Sequence, residues 1–125
     1  MRTLPFIALP LLLAASPALA TGGFECRTTD DSGIRVVGTI GHVIASPLVT
    51  AQLHLGDRTL STAGEAAPIA IGRSWIDSRE IRVDLVDAQA TRFEAQLRAR
   101  FMTRNGATGT LVRNDVRHPV RCDVE

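Results

Sequence analysis

The chain has 125 residues, 45% of them hydrophobic and 4% aromatic, with 14 Arg and no Lys or Tyr. Thirteen acidic residues leave a formal net charge of +1, a balance that advertises no electrostatic partner and argues against a nucleic-acid binder. Beyond the first twenty residues no run approaches the roughly 18 apolar residues of a membrane helix, so stable membrane insertion is not expected.

The first twenty residues have the three parts of a secretory signal. Arg2 supplies the positive start, Leu4 to Ala15 the apolar stretch, and Ala18 and Ala20 the small residues at −3 and −1 before Thr21. Pro5, Pro10 and Pro17 argue against an N-terminal core helix. Residues 1–20 therefore read as a signal peptide and 21–125 as a single β-domain, periplasmic or secreted. Without Arg2 that domain holds 13 Arg and 13 Asp plus Glu, a formal charge of zero. Its length suffices to bury about 65% of the unfolded surface. The absence of Lys and Tyr is what GC-rich codon usage produces and points to a bacterial source.

Cys26 and Cys122 are the only cysteines and lie near opposite ends of the domain. An even count in an oxidising compartment reads as a disulfide, with a catalytic thiol as the alternative. Closing so long a loop stabilises by up to about 4.7 kcal/mol in the chain-entropy model. The bond also requires Cα atoms about 4.4–6.8 Å apart, so the first and last strands must lie side by side or face each other.

In chain order, Phe24 to Thr28 reads as a strand and Asp30-Asp31-Ser32-Gly33 as a turn. Ile34 to Ile44 and Val49 to Leu55 follow as a hairpin turning near Ser46 and Pro47. Matching its apolar faces sets Ile44 opposite Ala51 and Ile40 opposite Leu55, which sends His42 inward beside Leu53 and His54 outward. Ser61 to Pro68, rich in small residues, reads as a flexible loop, and Pro68 to Ile71 as a strand.

Glu80 to Leu85 and Thr91 to Phe101 both alternate with period two, and Asp87 to Ala90 can turn the chain between them. A helix over 91–101 would spread its arginines around the cylinder, whereas a strand sorts every residue, with Phe93 and Phe101 inward. Two registers keep the apolar faces together. Leu85 opposite Thr91 sets Asp84 against Arg92 and Arg82 against Glu94; Leu85 opposite Phe93 sets Asp84 against Glu94. Charge pairing favours the first by about 0.2–1 kcal/mol per pair. Asn105-Gly106 marks a turn before strands at Thr108 to Arg113 and Pro119 to Asp123. The fold class is all-β: a small antiparallel β-sandwich or β-barrel of about seven or eight strands, closed by one disulfide.

No catalytic constellation stands out. Gly72-Arg73-Ser74-Trp75-Ile76 has the first glycine of a nucleophile elbow, lacks the second, and no helix follows it. Asp77, Glu80, Asp84 and Asp87 read as turn and outer-face residues rather than a glycosidase pair. Adjacent Asp30 and Asp31 lack the alternation of a calcium loop. His42 and His54 point to opposite faces, and His118, beside Pro119, reads as exposed, so no metal site and no cofactor are expected. Trp75 reads first as a core plug at a strand start, and otherwise as an anchor for a protein or sugar.

The pairing of Phe24-Glu25-Cys26 with Cys122 resembles the layout of the periplasmic inhibitors of C-type lysozyme, small exported β-barrels tied by a disulfide between an early aromatic-x-Cys strand and the last strand. The resemblance covers the chain ends and implies a barrel. The family's Ser-Gly-x-x-Tyr inhibitory loop has as its nearest counterpart Thr62-Ala63-Gly64-Glu65-Ala66-Ala67, without a tyrosine, so no inhibitory residues are carried over.

The expected function is a non-catalytic binding or accessory module of the bacterial periplasm or envelope, with an envelope protein or glycan as partner. Gly64 and Glu65 of the loop, and Trp75, are the candidate contacts. A structural component that pairs through a sheet edge is the alternative, and an enzyme ranks behind both. Oligomeric state is not legible.

Overall fold

The computed structural model describes residues 22–41 and 48–125. Residues 1–20, expected to be a signal peptide, and also His42, Ile44 and the expected turn at Ser46 and Pro47, lie outside the described residues. Among the described residues nine strands form: β1 (Gly22–Thr28), β2 (Ile34–Ile40), β3 (Leu48–Leu55), β4 (Arg58–Ser61), β5 (Ile69–Ile76), β6 (Glu80–Asp87), β7 (Phe93–Phe101), β8 (Gly106–Arg113) and β9 (Val116–Val124). All pair antiparallel in one nearly closed, barrel-like sheet of order β4-β3-β2-β1-β9-β8-β7-β6-β5. Chain neighbours pair everywhere except between β4 and β5. Residues 62–68 span that seam, where β5 packs against β3 and β4. Of the two expected architectures the barrel is adopted.

The strand beyond the expected seven or eight is β4. Leu55 pairs with Arg58 across the two-residue turn Gly56-Asp57, and Gly56 takes the positive φ (63°) that such hairpins demand. A second tight hairpin joins β8 to β9 through Asn114 and Asp115, both at positive φ. Leu60 rewards the extra strand by packing against the core.

Cys26 and Cys122 are joined, and they sit directly opposite each other in β1 and β9. Glu125 N–H donates to Gly23 O (3.0 Å) and Thr29 N–H to Pro119 O (2.9 Å), so the hydrogen-bonded pairs of this ladder fall on odd residues of β1. Cys26–Cys122 is therefore a non-hydrogen-bonded pair, the kind that brings Cα atoms closest; here they are 4.0 Å apart. The barrel implied by the lysozyme-inhibitor resemblance is present, with first and last strands side by side.

Both argued registers slip, and the argued parity holds in each pair up to a bulge. In the first hairpin Leu55 pairs with Ile34, not Ile40, and Ile40 pairs with Leu48 after a bulge. His54 still points outward, bonding Gln52 Oε1 (3.2 Å) and Thr59 Oγ1 (3.0 Å). Burial, followed by the nearby Arg35, lowers its pKa. Between β6 and β7, Leu85 pairs with Ala95, Asp84 with Gln96 and Arg82 with Arg98. The turn overrides the charges. Asp87 Oδ1 accepts the N–H of Thr91 (2.6 Å) and Arg92 (3.1 Å), Oδ2 accepts the Thr91 hydroxyl (2.6 Å), and Ala90 adopts φ 57°. That capped loop takes up Thr91 and Arg92, which the favoured register had placed in the strand. Arg92 pairs instead with Glu94 (2.9 Å). A bulge between Leu85 and Val86 also sets Phe93 across from Val86, leaving it 54% exposed rather than inward.

The core runs along the barrel interior, with Leu53, Ile69, Ile81, Leu85, Leu97 and Leu111 fully buried. Gly109 lies opposite Ala99, and a Cβ there would collide with the Arg98 carbonyl oxygen and sit 2.6 Å from Ala99 Cα. His118 is not exposed as expected: its side chain is 13% accessible and its Nδ1 donates to Asp30 Oδ2 at 2.8 Å, tying the β1–β2 turn to β9.

Candidate functional site

The site begins with a break in alternation. Ile69 and Ile71 of β5 face inward, so simple alternation would turn Trp75 inward as well. Ile71 pairs with Leu85 and Ser74 with Val83, so that Gly72 and Arg73 together oppose the single residue Asp84. This is a β-bulge, and it reverses the facing of everything after it. Trp75 pairs with Arg82 on the outer face and is 57% exposed. The expected core plug is thus corrected: the indole stands in solvent because of the extra residue in β5. Gly72, a glycine inside a strand, was the signal.

The bulge also covers a charge. A Cβ at Gly72 would lie 3.6 Å from Asp84 Cβ and 3.3 Å from Asp84 O, so glycine lets β5 settle onto that residue. Asp84 is the one buried charged residue among those described, 4% exposed although it faces outward. Arg98 reaches it diagonally from β7, with Nη1 donating to Asp84 Oδ1 at 2.9 Å and to Leu97 O at 2.8 Å.

Trp75, Arg82 and Arg98 are successive register partners, a row across β5, β6 and β7. With Arg73, Ser74 and Asp84 they line an open cleft of about 310 Å³. Each long side chain has a different tether. Asp77 Oδ2 accepts the indole N–H of Trp75 at 3.0 Å, while Oδ1 accepts the N–H of Arg79 (2.8 Å) and Glu80 (2.9 Å). These bonds, the Arg79 amide first, lower the Asp77 pKa. Arg98 is held by Asp84, and Arg82 lies 3.3 Å from Glu80 with more than half its side chain exposed. No ion pair engages Arg73 among the described residues. The indole's polar atom is already used, so its faces and edge are what it offers to a ligand.

Arg82 directly opposite Arg98 is a like-charge pairing, which costs stability in a sheet. Only one carboxylate, Asp84, lines the cleft against three guanidiniums. The arrangement can receive an anion next to an aromatic platform. No histidine lines the cleft to activate Ser74, and among the described residues no three His, Cys, Asp or Glu side chains converge as metal ligands.

Gly64 and Glu65 are exposed in the loop spanning the seam, Gly64 at φ 100°. They precede the start of β5, whereas Trp75 lies near its end, six residues or about 20 Å along the strand from Ile69. Gly64 and Glu65 do not line the cleft at Trp75. The residues that join Trp75 are Arg82 and Arg98, its partners in the row across β6 and β7.

Comparison with protein-family models, with curated proteins and with solved structures finds no match to this chain.

Proposed function

We propose that the protein is a non-catalytic binding module of the bacterial periplasm or cell envelope, and that its contact surface is the outer face of β5–β7 centred on Trp75. The observation that carries this reading is the bulge at Gly72 and Arg73, which turns the chain's one tryptophan outward and fixes it beside three arginines. Bulges that re-aim side chains recur at functional sites. The Cys26–Cys122 bond fits an oxidising compartment, and residues 1–20 supply the export signal.

The test is retention of a partner from envelope extract by the oxidised protein, by its Trp75→Ala variant and by a variant with residues 62–68 replaced by glycine and serine. Loss of a discrete partner with Trp75→Ala alone is the expected result. Loss with the loop replacement alone would move the contact to Gly64 and Glu65. Retention of nothing by the unaltered protein would overturn the binding reading.

A second reading is supported by the strand order, which leaves β4 and β5 as the two ends of the sheet. Under it the protein is an assembly component that pairs through one of these edges. Concentration-dependent oligomers abolished by Thr59→Pro in β4 would favour that role, and a monomer at every concentration would exclude it.

A further inference from the structure

We infer that the cleft at Trp75 takes an acidic glycan, with a sugar ring against the indole and its carboxylate held by Arg82 and Arg73. The inference rests on the binding surface proposed above and names its ligand class. Three features of the cleft select that class.

The first is charge. Arg73, Arg82 and Arg98 surround one carboxylate, and that carboxylate is committed to Arg98. Arg73, which has no ion pair among the described residues, and the two terminal nitrogens of Arg82, whose Nε alone faces Glu80, remain to grip an anion, and a planar carboxylate matches their fork geometry. An anion bound there would also relieve the facing of Arg82 and Arg98 across β6 and β7.

The second is the platform. The indole N–H is bonded to Asp77, which fixes the ring's orientation before any ligand arrives, so little side-chain entropy is lost on binding. A pyranose ring has an apolar face that suits such a surface and hydroxyls that remain in water above an open cleft. A single indole in a cleft of about 310 Å³ accommodates one or two sugar units. Single-stranded nucleic acid needs a succession of stacking surfaces, and a protein hot spot needs neighbours that exclude water. Here the neighbours of the indole are guanidiniums.

The third is continuity. Arg82 and Arg98 also line an adjoining depression with Glu80, Arg100, Met102 and Thr108, so the basic face extends from β5 to β8. Arg100 lies opposite Glu80, which pairs with Arg82 instead, and the next residue in its row, Thr108, faces Arg121. The cationic track therefore continues past the first sugar, as a polymer carrying a carboxylate on successive units requires.

Trp75 is the chain's sole tryptophan and there is no tyrosine, so intrinsic fluorescence reports this cleft alone. The experiment titrates the oxidised exported protein with trigalacturonic acid, with neutral maltotriose and with a single-stranded thymidine oligonucleotide, following Trp75 emission and its quenching by acrylamide. Trigalacturonic acid is expected to shield the indole, with affinity falling as salt rises. Arg82→Ala and Arg73→Ala should each weaken it about tenfold, Arg82→Lys less, and Arg117→Ala on β9 not at all. An unchanged melting temperature shows that the variants remain folded. Shielding by maltotriose, or by the oligonucleotide in preference to the acidic sugar, would overturn the acidic-glycan assignment while leaving the binding surface intact. Failure of all three probes, with Trp75 shielded by an envelope protein, would overturn it equally. If neither the probes nor envelope extract shields Trp75, the surface itself is refuted.

Discussion

Asp84 and Arg98 meet diagonally across β6 and β7, the aspartate side chain 6% exposed and the arginine side chain 43%. This pair sets one wall of the cleft by holding the Arg98 guanidinium against β6, beside Arg82. Removing Arg98 leaves a buried carboxylate unpaired, which costs more than the bond itself. Arg98→Ala is expected to destabilise by about 1–3 kcal/mol, and Asp84→Asn by less, with the arginine's solvent exposure holding both below the cost of a fully buried pair. Denaturant unfolding of both variants and of the double variant should give a coupling of at least about 0.5 kcal/mol; strict additivity would show that the pair is not formed.

The disulfide closes a sequence separation of 96 residues at the junction of first and last strands. Replacing both cysteines by Ala should lower stability by about 2–5 kcal/mol. A melt of the double variant that coincides with that of the oxidised protein would exclude this contribution.

Gly109 tests the close approach of β7 and β8. Gly109→Ala drives a methyl group into backbone atoms of Arg98 and Ala99, which cannot rotate away. A loss of about 1–3 kcal/mol or more is expected, against little change for the exposed Thr108→Ala beside it. Equal effects of the two substitutions would contradict the register Gly109–Ala99.

The acid limb of stability should be governed by turn aspartates. Ser32 and then His118 hydrogen-bond Asp30 and hold its pKa at about 2, below the ordinary 3.8, and Asp77 and Asp87 are lowered by the amides and side chains they cap. A depressed folded-state pKa means stability that is fully present above the unfolded value and lost as pH falls through the folded one. Thermal melts should therefore decline slightly below about pH 6.5, where the lowered folded-state pKa of His54 leaves the unfolded chain binding more protons, and fall mainly between about pH 4 and 2. Asp30→Asn should flatten part of that fall. A variant with the same acid profile as the parent would remove Asp30 from the account.

Much of the barrel was legible because alternation and cysteine pairing are local or nearly binary signals. The faces of β6 and β7 could be read from Ile81, Val83, Leu85, Ala95, Leu97 and Ala99, all of which are buried. Register was not, since the capping of a loop by Asp87 decides it and charge pairs of a few tenths of a kcal/mol cannot overrule that turn. The hairpin at Gly56-Asp57 was legible in principle, as glycine followed by aspartate between alternating residues. Trp75 and Phe93 were misplaced for one reason: a bulge separates each from the core-facing residues of its strand, and a single unpaired residue reverses the facing that alternation predicts. The cleft became visible only once that reversal put Trp75 in the same row as Arg82 and Arg98.

The most direct test of the account is the emission of Trp75 in the free, oxidised protein, measured with acrylamide quenching and no ligand present. An outward indole tethered at its N–H predicts long-wavelength emission and efficient quenching, both unchanged in Phe93→Ala. Short-wavelength emission protected from quencher would place Trp75 in the core, and the bulge, the arginine row and the binding surface built on them would fall together.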